Sequence, residues 1–197
     1  MKILLASTNP GKISEISEIL CTQAIQLVTP PKIDLEIEVV EDGSNFLENA
    51  TKKARAWSQA SGMNALADDS GLSVKALGGL PGVMSARFAG ADATDEDNNQ
   101  LLLQKMAGQI NREAEFVCVV ALALTNGDLI IGKGSYQGCI LDRMAGVGGF
   151  GYDPLFYDPS SGKTFAELTP GQKNKRSHRR RALFDLERKL SGFIKNL

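Results

Sequence analysis

The stretch KILLASTNPGKISEISEIL, residues 2–20, carries the first strand, turn and helix that can be read from the chain. KILLAS is an apolar run of strand length, and TNPGK has the residues of a tight turn, with Pro10 suited to the first position of a helix. Apolar residues then recur at positions 13, 16, 19 and 20, which is the spacing of one helix face. The chain is therefore predicted to open with a buried strand, a glycine turn and an amphipathic helix.

Three further segments continue this pattern in the first half of the chain. EDGSNFLENATKKARAW, residues 41–57, is predicted to form a helix with Ser44 as its cap. NALADDSGL, residues 64–72, is predicted to be a strand that ends in a loop at its two aspartates. TDEDNNQLLLQKM, residues 94–106, begins with a capping pattern and is predicted to be a helix.

The second half contains a hairpin and a long helix. Residues 115–139 form two apolar runs that are separated by Asn126-Gly127, the strongest short hairpin signal. Thr169, Pro170 and Gln172 have the spacing of a capping box, and a single long helix is predicted to follow them.

Size and composition indicate one folded domain, residues 1–197. The chain has 197 residues, with 43% hydrophobic and 23% charged side chains, which are ordinary values for a globular protein. The formal net charge of −1 offers no overall field for nucleic acid or for an anionic membrane, so we expect neither partner. Three cysteines without a CxxC pair favour a reducing cytoplasm, and no apolar run has membrane-spanning length.

The turn from Ser7 to Lys12 is the first candidate for chemistry. Free backbone N–H groups at the start of a helix, together with a lysine, can bind an anion such as phosphate. The spacing is not that of a P-loop, and an ordinary capped turn explains these residues equally well.

Carboxylates form the second candidate: Glu41, Glu48 and the adjacent Asp68 and Asp69. Two like charges side by side need compensation from a metal, an arginine or water. Oxygen ligands at the end of a strand suit Mg²⁺, and one aspartate can also accept a proton from an attacking water. Alternatively, Asp69-Ser70-Gly71 is an Asx turn and Glu41 only favours a helix N-terminus.

The basic segment near the carboxyl end contains one residue that the helical register turns inward. Leu186, Leu183 and Ala182 are core-type positions, and Arg179 lies seven, four and three residues before them. An inward guanidinium needs an anion or a carbonyl group, whereas Arg180 and Arg181 are predicted to face solvent.

Phe150-Gly151-Tyr152-Asp153-Pro154 is the last candidate. Aromatic rings beside an acidic residue can form a slot for a purine, in which a ring stacks on the base and the carboxylate accepts a base N–H. The alternative is that both rings simply join the core.

Taken together, these stretches resemble the family of inosine/xanthosine triphosphate pyrophosphatases, which hydrolyse deaminated purine nucleotides. The similarity covers nearly the whole chain, and its motifs are STNPGK (7–12), EDGSNFLENA (41–50), ADDSGL (67–72), LPGVMSARFAG (80–90), GGFGYDP (148–154), LT with Lys173 (168–173) and SHRRRAL (177–183). Several motifs in a fixed order are far more specific than any one of them.

The resemblance implies an α/β fold, elongated and two-lobed around a mixed central sheet, with the active site in the cleft between the lobes. It implies that Glu41 and Asp69 bind Mg²⁺ and that Asp69 accepts the proton of the attacking water. It also implies a cytoplasmic homodimer. The substrate-binding residues that it implies are Ser7, Thr8, Asn9, Pro10, Gly11, Lys12, Lys53, Ser70, Phe150, Gly151, Tyr152, Asp153, Lys173, His178 and Arg179. Relatives also use tryptophan at the position of Tyr152.

Other functions remain open at this point. A pyrophosphatase for another modified nucleotide, such as a methylated pyrimidine, would need the same phosphate and metal chemistry. A nucleic-acid-binding module would use the basic helix, although the acidic motifs at 41 and 69 oppose that reading. A binding scaffold without activity would not need the carboxylates. The roles of Glu48 and Asp68 stay open as well.

Overall fold

The computed structural model describes residues 1–20 and 25–195, with side-chain surroundings up to residue 191. Within it, the predicted mixed α/β class is confirmed. The strands are β1 (Lys2–Leu5), β2 (Gln26–Val28), β3 (Ala65–Val74), β4 (Glu113–Ala123), β5 (Leu129–Ile140), β6 (Phe156–Asp158) and β7 (Lys163–Thr164). The α-helices are α1 (Pro10–Ile19), α2 (Phe46–Ser61), α3 (Asp95–Lys105), α4 (Pro170–Asn174) and α5 (His178–Lys195). Short 3₁₀ turns occupy Pro30–Lys32, Lys75–Leu77, Gly82–Arg87 and Phe165–Glu167.

The described strands form one seven-stranded sheet in the order β2-β1-β3-β4-β5-β6-β7. Strand β1 pairs in parallel with both β2 and β3, whereas β6 pairs antiparallel with both β5 and β7. The sheet is therefore mixed. The predicted hairpin is confirmed: β4 and β5 are neighbours, and the Leu124 N–H donates to the Asp128 carbonyl across the Asn-Gly turn at 2.9 Å.

The chain forms two compact units. Unit 1 contains residues 1–69, 118–134 and 178–197, and unit 2 contains residues 70–117 and 135–177. Strands β3, β4 and β5 each contribute residues to both units. Neither unit is a continuous segment, and the single-domain expectation for residues 1–197 remains a prediction.

Unit 1 buries two apolar layers, one on each face of its strands. Ile3, Leu5 and Leu66 pack with α1 and α5 on one face. Leu4 and Ala67 belong to the other layer, with Trp57 of α2. This alternation follows from the two-residue period of a strand. Residue 68 therefore falls on the α1 and α5 side, and residue 69 falls on the α2 side.

Helix α5 lies unusually close to β5. A Cβ atom added at Gly134 would meet the backbone of His178 and Ala182, and one added at Gly132 would lie 2.7 Å from Leu186 Cβ. Because glycine has no side chain at these positions, the helix can rest directly on the strand. This packing holds the segment that carries His178 and Arg179.

Unit 2 has its own aromatic core. Phe116, Phe156 and Phe165 meet with ring centroids 4.5 to 5.8 Å apart, and Tyr136 and Tyr152 are buried in the same cluster. Such pairs add specific ring geometry to the burial of apolar area.

Two local predictions are wrong. Strand β3 does not end at its aspartates but continues to Val74, so the Asx-turn reading of Asp69-Ser70-Gly71 is excluded. Gly71 permits this course because a side chain there would collide with Ser85 and Gly82, and Ser85 Oγ instead accepts the Leu72 N–H at 2.9 Å. Ser44 is not the cap of α2, since Asn45 takes that role and accepts the Glu48 N–H.

The long carboxyl-terminal helix is also divided. The predicted capping box at Thr169 is present, but α4 ends at Asn174 and α5 begins at His178. Arg176, inside the break, donates to Asp158 at 3.0 Å. Residues 175–177, between the two helices, contain neither glycine nor proline, so their helix propensity alone does not explain the break. The chain passes out of unit 2 after residue 177, and tertiary contacts override the helical tendency there.

Candidate active site

The turn between β1 and α1 has the geometry of a helix cap. Asn9 is the N-cap residue, and its side chain accepts the Lys12 N–H at 3.0 Å, while Pro10 occupies the first turn. Thr8, Asn9 and Pro10 are exposed. The start of α1 is thus open to solvent, as an anion site at a helix N-terminus requires.

Asp68 is compensated by two cations. It is fully buried, and its Oδ2 lies 3.2 Å from Lys12 Nζ and 3.2 Å from Arg179 Nη2. Burial alone would raise the pKa of Asp68, but Lys12 and Arg179 hold it well below its usual range. The carboxylate on this face therefore stays ionised because an arginine and a lysine neutralise it.

Arg179 points inward, as its register predicted. It is 1% exposed and also pairs with Glu15, while Arg180 and Arg181 are exposed. Although burial would lower it, Asp68 and Glu15 raise the pKa of Arg179. Sequence reasoning missed Glu15, whose only signal was its position one turn after Lys12 on α1.

Asp69 faces the opposite side and has a different environment. It is 7% exposed, and its Oδ2 accepts a hydrogen bond from Asn49 Nδ2 at 3.0 Å. Burial raises the pKa of Asp69; Lys12, Asn49 and Lys53 oppose that shift, and the charge of Glu41 adds to it. A buried carboxylate with a raised pKa is a suitable proton acceptor.

Asn49 is a second residue that the sequence did not reveal. It is 1% exposed, and its Oδ1 accepts the Gly43 N–H at 2.7 Å while its Nδ2 reaches Asp69. The side chain therefore joins the segment that carries Glu41 to strand β3. Its one available signal was its place on the buried face of α2.

The acidic residues near α2 divide into two roles. Glu41 Oε1 lies 2.9 Å from Lys53 Nζ. Glu48 instead accepts hydrogen bonds from the N–H and the hydroxyl of Ser44 and from the Asn45 amide, so it caps the helix. This assigns Glu48 a structural role that the sequence had left open.

The donor set on the Asp69 side fits a magnesium ion. Among the described residues, no three His, Cys, Asp or Glu side chains converge on one point. Mg²⁺ commonly takes one or two protein carboxylates and completes its shell with water and substrate phosphate oxygens. Glu41 and Asp69 supply such a pair. Burial is the main cause of the raised pKa of Asp69, and a cation there would offset the smaller contribution from the charge of Glu41.

In unit 2, a loop with two left-handed glycines carries the predicted base-binding residues. Asp153 accepts the Phe150 N–H at 2.9 Å and pairs with Lys173, whose Nζ lies 4.7 Å from the centre of the Phe150 ring. Tyr152 is buried in the core, and its hydroxyl donates to the Ser85 carbonyl at 2.9 Å. Phe150 is thus the half-buried ring of this loop, and Tyr152 anchors the loop to the core.

The predicted site residues therefore fall into two groups. Unit 1 contains the residues of the β1–α1 turn, Glu41, Lys53, Asp69, His178 and Arg179. Unit 2 brings together Phe150, Gly151, Tyr152, Asp153 and Lys173, and it also contains Ser70, which follows Asp69 along β3. All three lysines expected to meet phosphate have a carboxylate partner: Lys12 with Asp68, Lys53 with Glu41, and Lys173 with Asp153.

Known proteins resemble this chain over almost its full length. The model of the Ham1 family matches residues 3–189. A dITP/XTP pyrophosphatase from Desulforamulus reducens is 49% identical over 185 residues, which cover 93% of this chain and 92% of that protein. A protein of the same name from Thermus thermophilus is 48% identical, with 93% and 88% covered.

Solved structures agree with the sequence comparison. The Staphylococcus aureus Ham1 protein superposes with a TM-score of 0.87 at 40% identity, covering 98% of this chain and 99% of that one. A nucleoside-triphosphatase, also named a dITP/XTP pyrophosphatase, from Mycobacterium abscessus gives a TM-score of 0.76 at 42% identity, with 93% and 97% covered. On this similarity of sequence and fold, the chain belongs to the Ham1 family.

Proposed function

We propose that this protein is a nucleoside triphosphate pyrophosphatase that converts dITP, XTP and ITP to the monophosphate and pyrophosphate. The observation that carries the proposal is the environment of Asp69: a buried carboxylate with a raised pKa, held by Asn49 and flanked by Glu41 and Lys53. Relatives named dITP/XTP pyrophosphatase, 49% and 48% identical to this chain, support the same activity.

In the proposed reaction, water attacks the α-phosphorus and the bond from that phosphorus to the bridging oxygen breaks. Asp69 accepts the proton of the water, and pyrophosphate leaves with the bond's electrons. Lys12, Lys53 and Lys173 offset the negative charge of the phosphates, and the start of α1 offers backbone N–H groups to the same chain. Mg²⁺, held by Glu41 and Asp69, would supply further positive charge to the phosphate oxygens.

The choice of base is proposed to depend on His178 and Arg179. Both side chains can donate to O6 of hypoxanthine or xanthine, whereas the 6-amino group of adenine would leave these donors unpaired. A site built on such hydrogen bonds can reject the wrong base by roughly 10⁴-fold. Glu15 and Asp68 hold the guanidinium of Arg179, so this donor needs little reorganisation when a base binds.

Phe150 is proposed to stack on the base. Its ring is half-buried and lies under Lys173, while Tyr152 and Asp153 fix the loop from the core side. The natural setting is proposed to be the cytoplasm, with the protein acting as a homodimer. Within the described residues, no helix combines the length and apolarity that a bilayer crossing needs.

The test is pyrophosphate release with Mg²⁺ from ITP, XTP, dITP, GTP, ATP and a methylated pyrimidine triphosphate at neutral and alkaline pH. We expect release from ITP, XTP and dITP at least about a hundredfold faster than from ATP and GTP, a transition-state difference of roughly 2.7 kcal/mol. Because guanine also carries O6, the rejection of GTP has to come from the surroundings of its 2-amino group and not from the contacts to O6. Release confined to the pyrimidine would keep the phosphate chemistry and reject the purine assignment. No release from any of them would reject the enzyme proposal.

A further inference from the structure

Helix α3 contacts the candidate base-binding loop through two side chains of its first turns. The Gly151 N–H donates to Asp95 Oδ2 at 2.6 Å, and Asn99 Nδ2 donates to the Gly151 carbonyl at 2.8 Å. Both peptide groups that flank Gly151 are therefore held by the same helix. All of these residues lie within unit 2.

The orientation of the Asn99 amide is determined by its surroundings. Its Nδ2 also donates to the Asp95 carbonyl at 2.7 Å, so the amide faces two carbonyl oxygens, which only its NH₂ group can satisfy. Asn99 is 2% exposed, and in the part of the chain that the structure describes its Oδ1 accepts no hydrogen bond. The two donor contacts of this buried amide therefore tie the Gly151 carbonyl to the first turn of α3.

Gly151 has a backbone conformation that its own residue type does not fix. Its φ of +60° and the +74° of Gly149 place both in the left-handed region, where glycine has little intrinsic preference for one conformation. Phe150 precedes Gly151, and Tyr152 follows it. The direction of the Phe150 ring therefore depends on how the two peptide groups around Gly151 are held.

We propose that Asp95 and Asn99 are positioning residues that fix the Gly151 peptides and thereby set the Phe150 ring for the base of the nucleotide. Neither side chain acts on the phosphates. The inference rests on the proposed function for its substrate, because it deepens the base-binding role of the same loop. Its structural part, the order of the loop, can be measured without any substrate.

Helix α3 offers a closely matched control. Asp97 lies in the same exposed first turn as Asp95 and also accepts a backbone N–H, but from Thr94 in the capping box, at 2.8 Å. Asp95→Ala removes an acidic side chain and the hydrogen bond from the Gly151 N–H, whereas Asp97→Ala removes an acidic side chain from the same end of the helix and two hydrogen bonds, from the N–H and the hydroxyl of Thr94. Only Asp95→Ala releases Gly151.

The first experiment measures ITP hydrolysis by Asp95→Ala, Asn99→Asp and Asp97→Ala. Losing one hydrogen bond of this type changes an equilibrium constant by about tenfold. Asp95→Ala should therefore raise KM for ITP by about tenfold and leave kcat within about threefold of the wild type. Asn99→Asp places a carboxylate against two carbonyls and should raise KM at least as much. Equal KM values for Asp95→Ala and Asp97→Ala would overturn the proposal.

The second experiment follows the amide resonances of Phe150 and Gly151 by NMR in the three variants, with urea unfolding to establish that each is folded. We expect the Gly151 amide to lose its hydrogen-exchange protection by about tenfold or more in Asp95→Ala and to keep it in Asp97→Ala. Unchanged protection in Asp95→Ala would overturn the positioning role even if the protein hydrolyses ITP. A loss of protection in a protein that hydrolyses no purine nucleotide would instead reject the proposed substrate.

Discussion

Arg179 Nη2 lies 3.2 Å from Asp68 Oδ2, and both side chains are shielded from water, at 1% and 0% exposure. Glu15 forms a second ion pair with the same guanidinium, through Nη1 of Arg179. A buried charge that loses its partner is strongly destabilising, because neither water nor a second charge replaces the lost interaction. This relationship makes Arg179 a structural residue as well as a proposed base-binding one.

Replacing Arg179 should therefore affect both stability and binding. We expect Arg179→Ala to lower the free energy of unfolding by about 3–5 kcal/mol, because it removes the guanidinium from both Glu15 and Asp68 and leaves Lys12 as the cation paired with Asp68. The exposed Arg181→Ala should stay within about 0.5 kcal/mol of the wild type. Urea unfolding measures both. Among folded molecules, Arg179→Ala should also raise KM for ITP more than Arg181→Ala does, and equal effects would contradict the inward role.

Replacing each of the two adjacent aspartates with asparagine should change the free energy of unfolding in opposite directions. Asp69→Asn removes a charge whose pKa is raised by burial, so at pH 7 we expect the metal-free protein to become more stable. Asp68→Asn removes a charge that Lys12 and Arg179 hold ionised, so it should become less stable, by about 3–5 kcal/mol. Urea unfolding at pH 7 measures the difference, and a shift of the same sign in both variants would refute the separation of the two faces.

Asp69→Asn should abolish turnover while nucleotide binding remains detectable. The amide cannot accept the proton of the attacking water, whereas the lysines that meet the phosphates are unchanged. Pyrophosphate release and equilibrium binding of ITP measure the two effects. A near-normal rate in the variant would remove Asp69 from the mechanism.

Magnesium binding should separate Glu41 from Glu48. We expect EDTA to stop turnover, and Glu41→Gln to weaken Mg²⁺ binding by about tenfold or more because Mg²⁺ has few protein ligands to lose. Glu48→Gln should keep Mg²⁺ binding and lower only stability, since Glu48 caps α2. Calorimetric titration with Mg²⁺ in the presence of a non-hydrolysable nucleotide provides the readout, independent of turnover. Equal Mg²⁺ affinities in the two variants would count against Glu41 as a ligand.

Part of the loss of unfolding free energy at low pH should come from Asp158. Burial would raise the pKa of this carboxyl, but hydrogen bonds from Ser160, Ser161 and Arg176 lower it to about 2. A carboxyl with a depressed folded pKa contributes stability above its ordinary value of 3.8, and that contribution disappears as the pH falls towards 2. Asp158→Asn should therefore flatten the loss of unfolding free energy between about pH 4 and pH 2. Denaturant curves at several pH values compare the slopes; parallel curves would argue against this origin.

Local signals predicted much of the fold and part of the site. The Asn126-Gly127 hairpin, the Thr94 and Thr169 capping boxes and the inward register of Arg179 all depend on residues close in sequence. Each of these features is present in the structure as predicted.

The errors arise where distant residues decide the outcome. Asp69-Ser70-Gly71 resembles a turn, yet Gly71 extends the strand because Ser85 must approach it. The break before α5 contains neither glycine nor proline, and its local signal is Ser177, a residue type that often precedes a helix; Arg176 contacts Asp158 there instead of continuing a helix. Glu15 and Asn49 belong to the site only because other elements bring Arg179 and Asp69 to them.

The close contact of α5 with the backbone of β5 at Gly132 and Gly134 limits which residues of the helix can be substituted. Helix α5 is located by direct contact of its main chain with the strand, and two of its side chains add hydrogen bonds to β5: Asp185 accepts the Lys133 N–H at 3.0 Å, and Lys189 donates to the Ile131 carbonyl at 2.8 Å. Redesign of the outer face of the helix for solubility, labelling or attachment to a support should therefore retain Asp185 and Lys189, which help to hold the helix that carries His178 and Arg179. Gly132 and Gly134 themselves should not tolerate substitution, because a single added methyl group would push α5 away from β5.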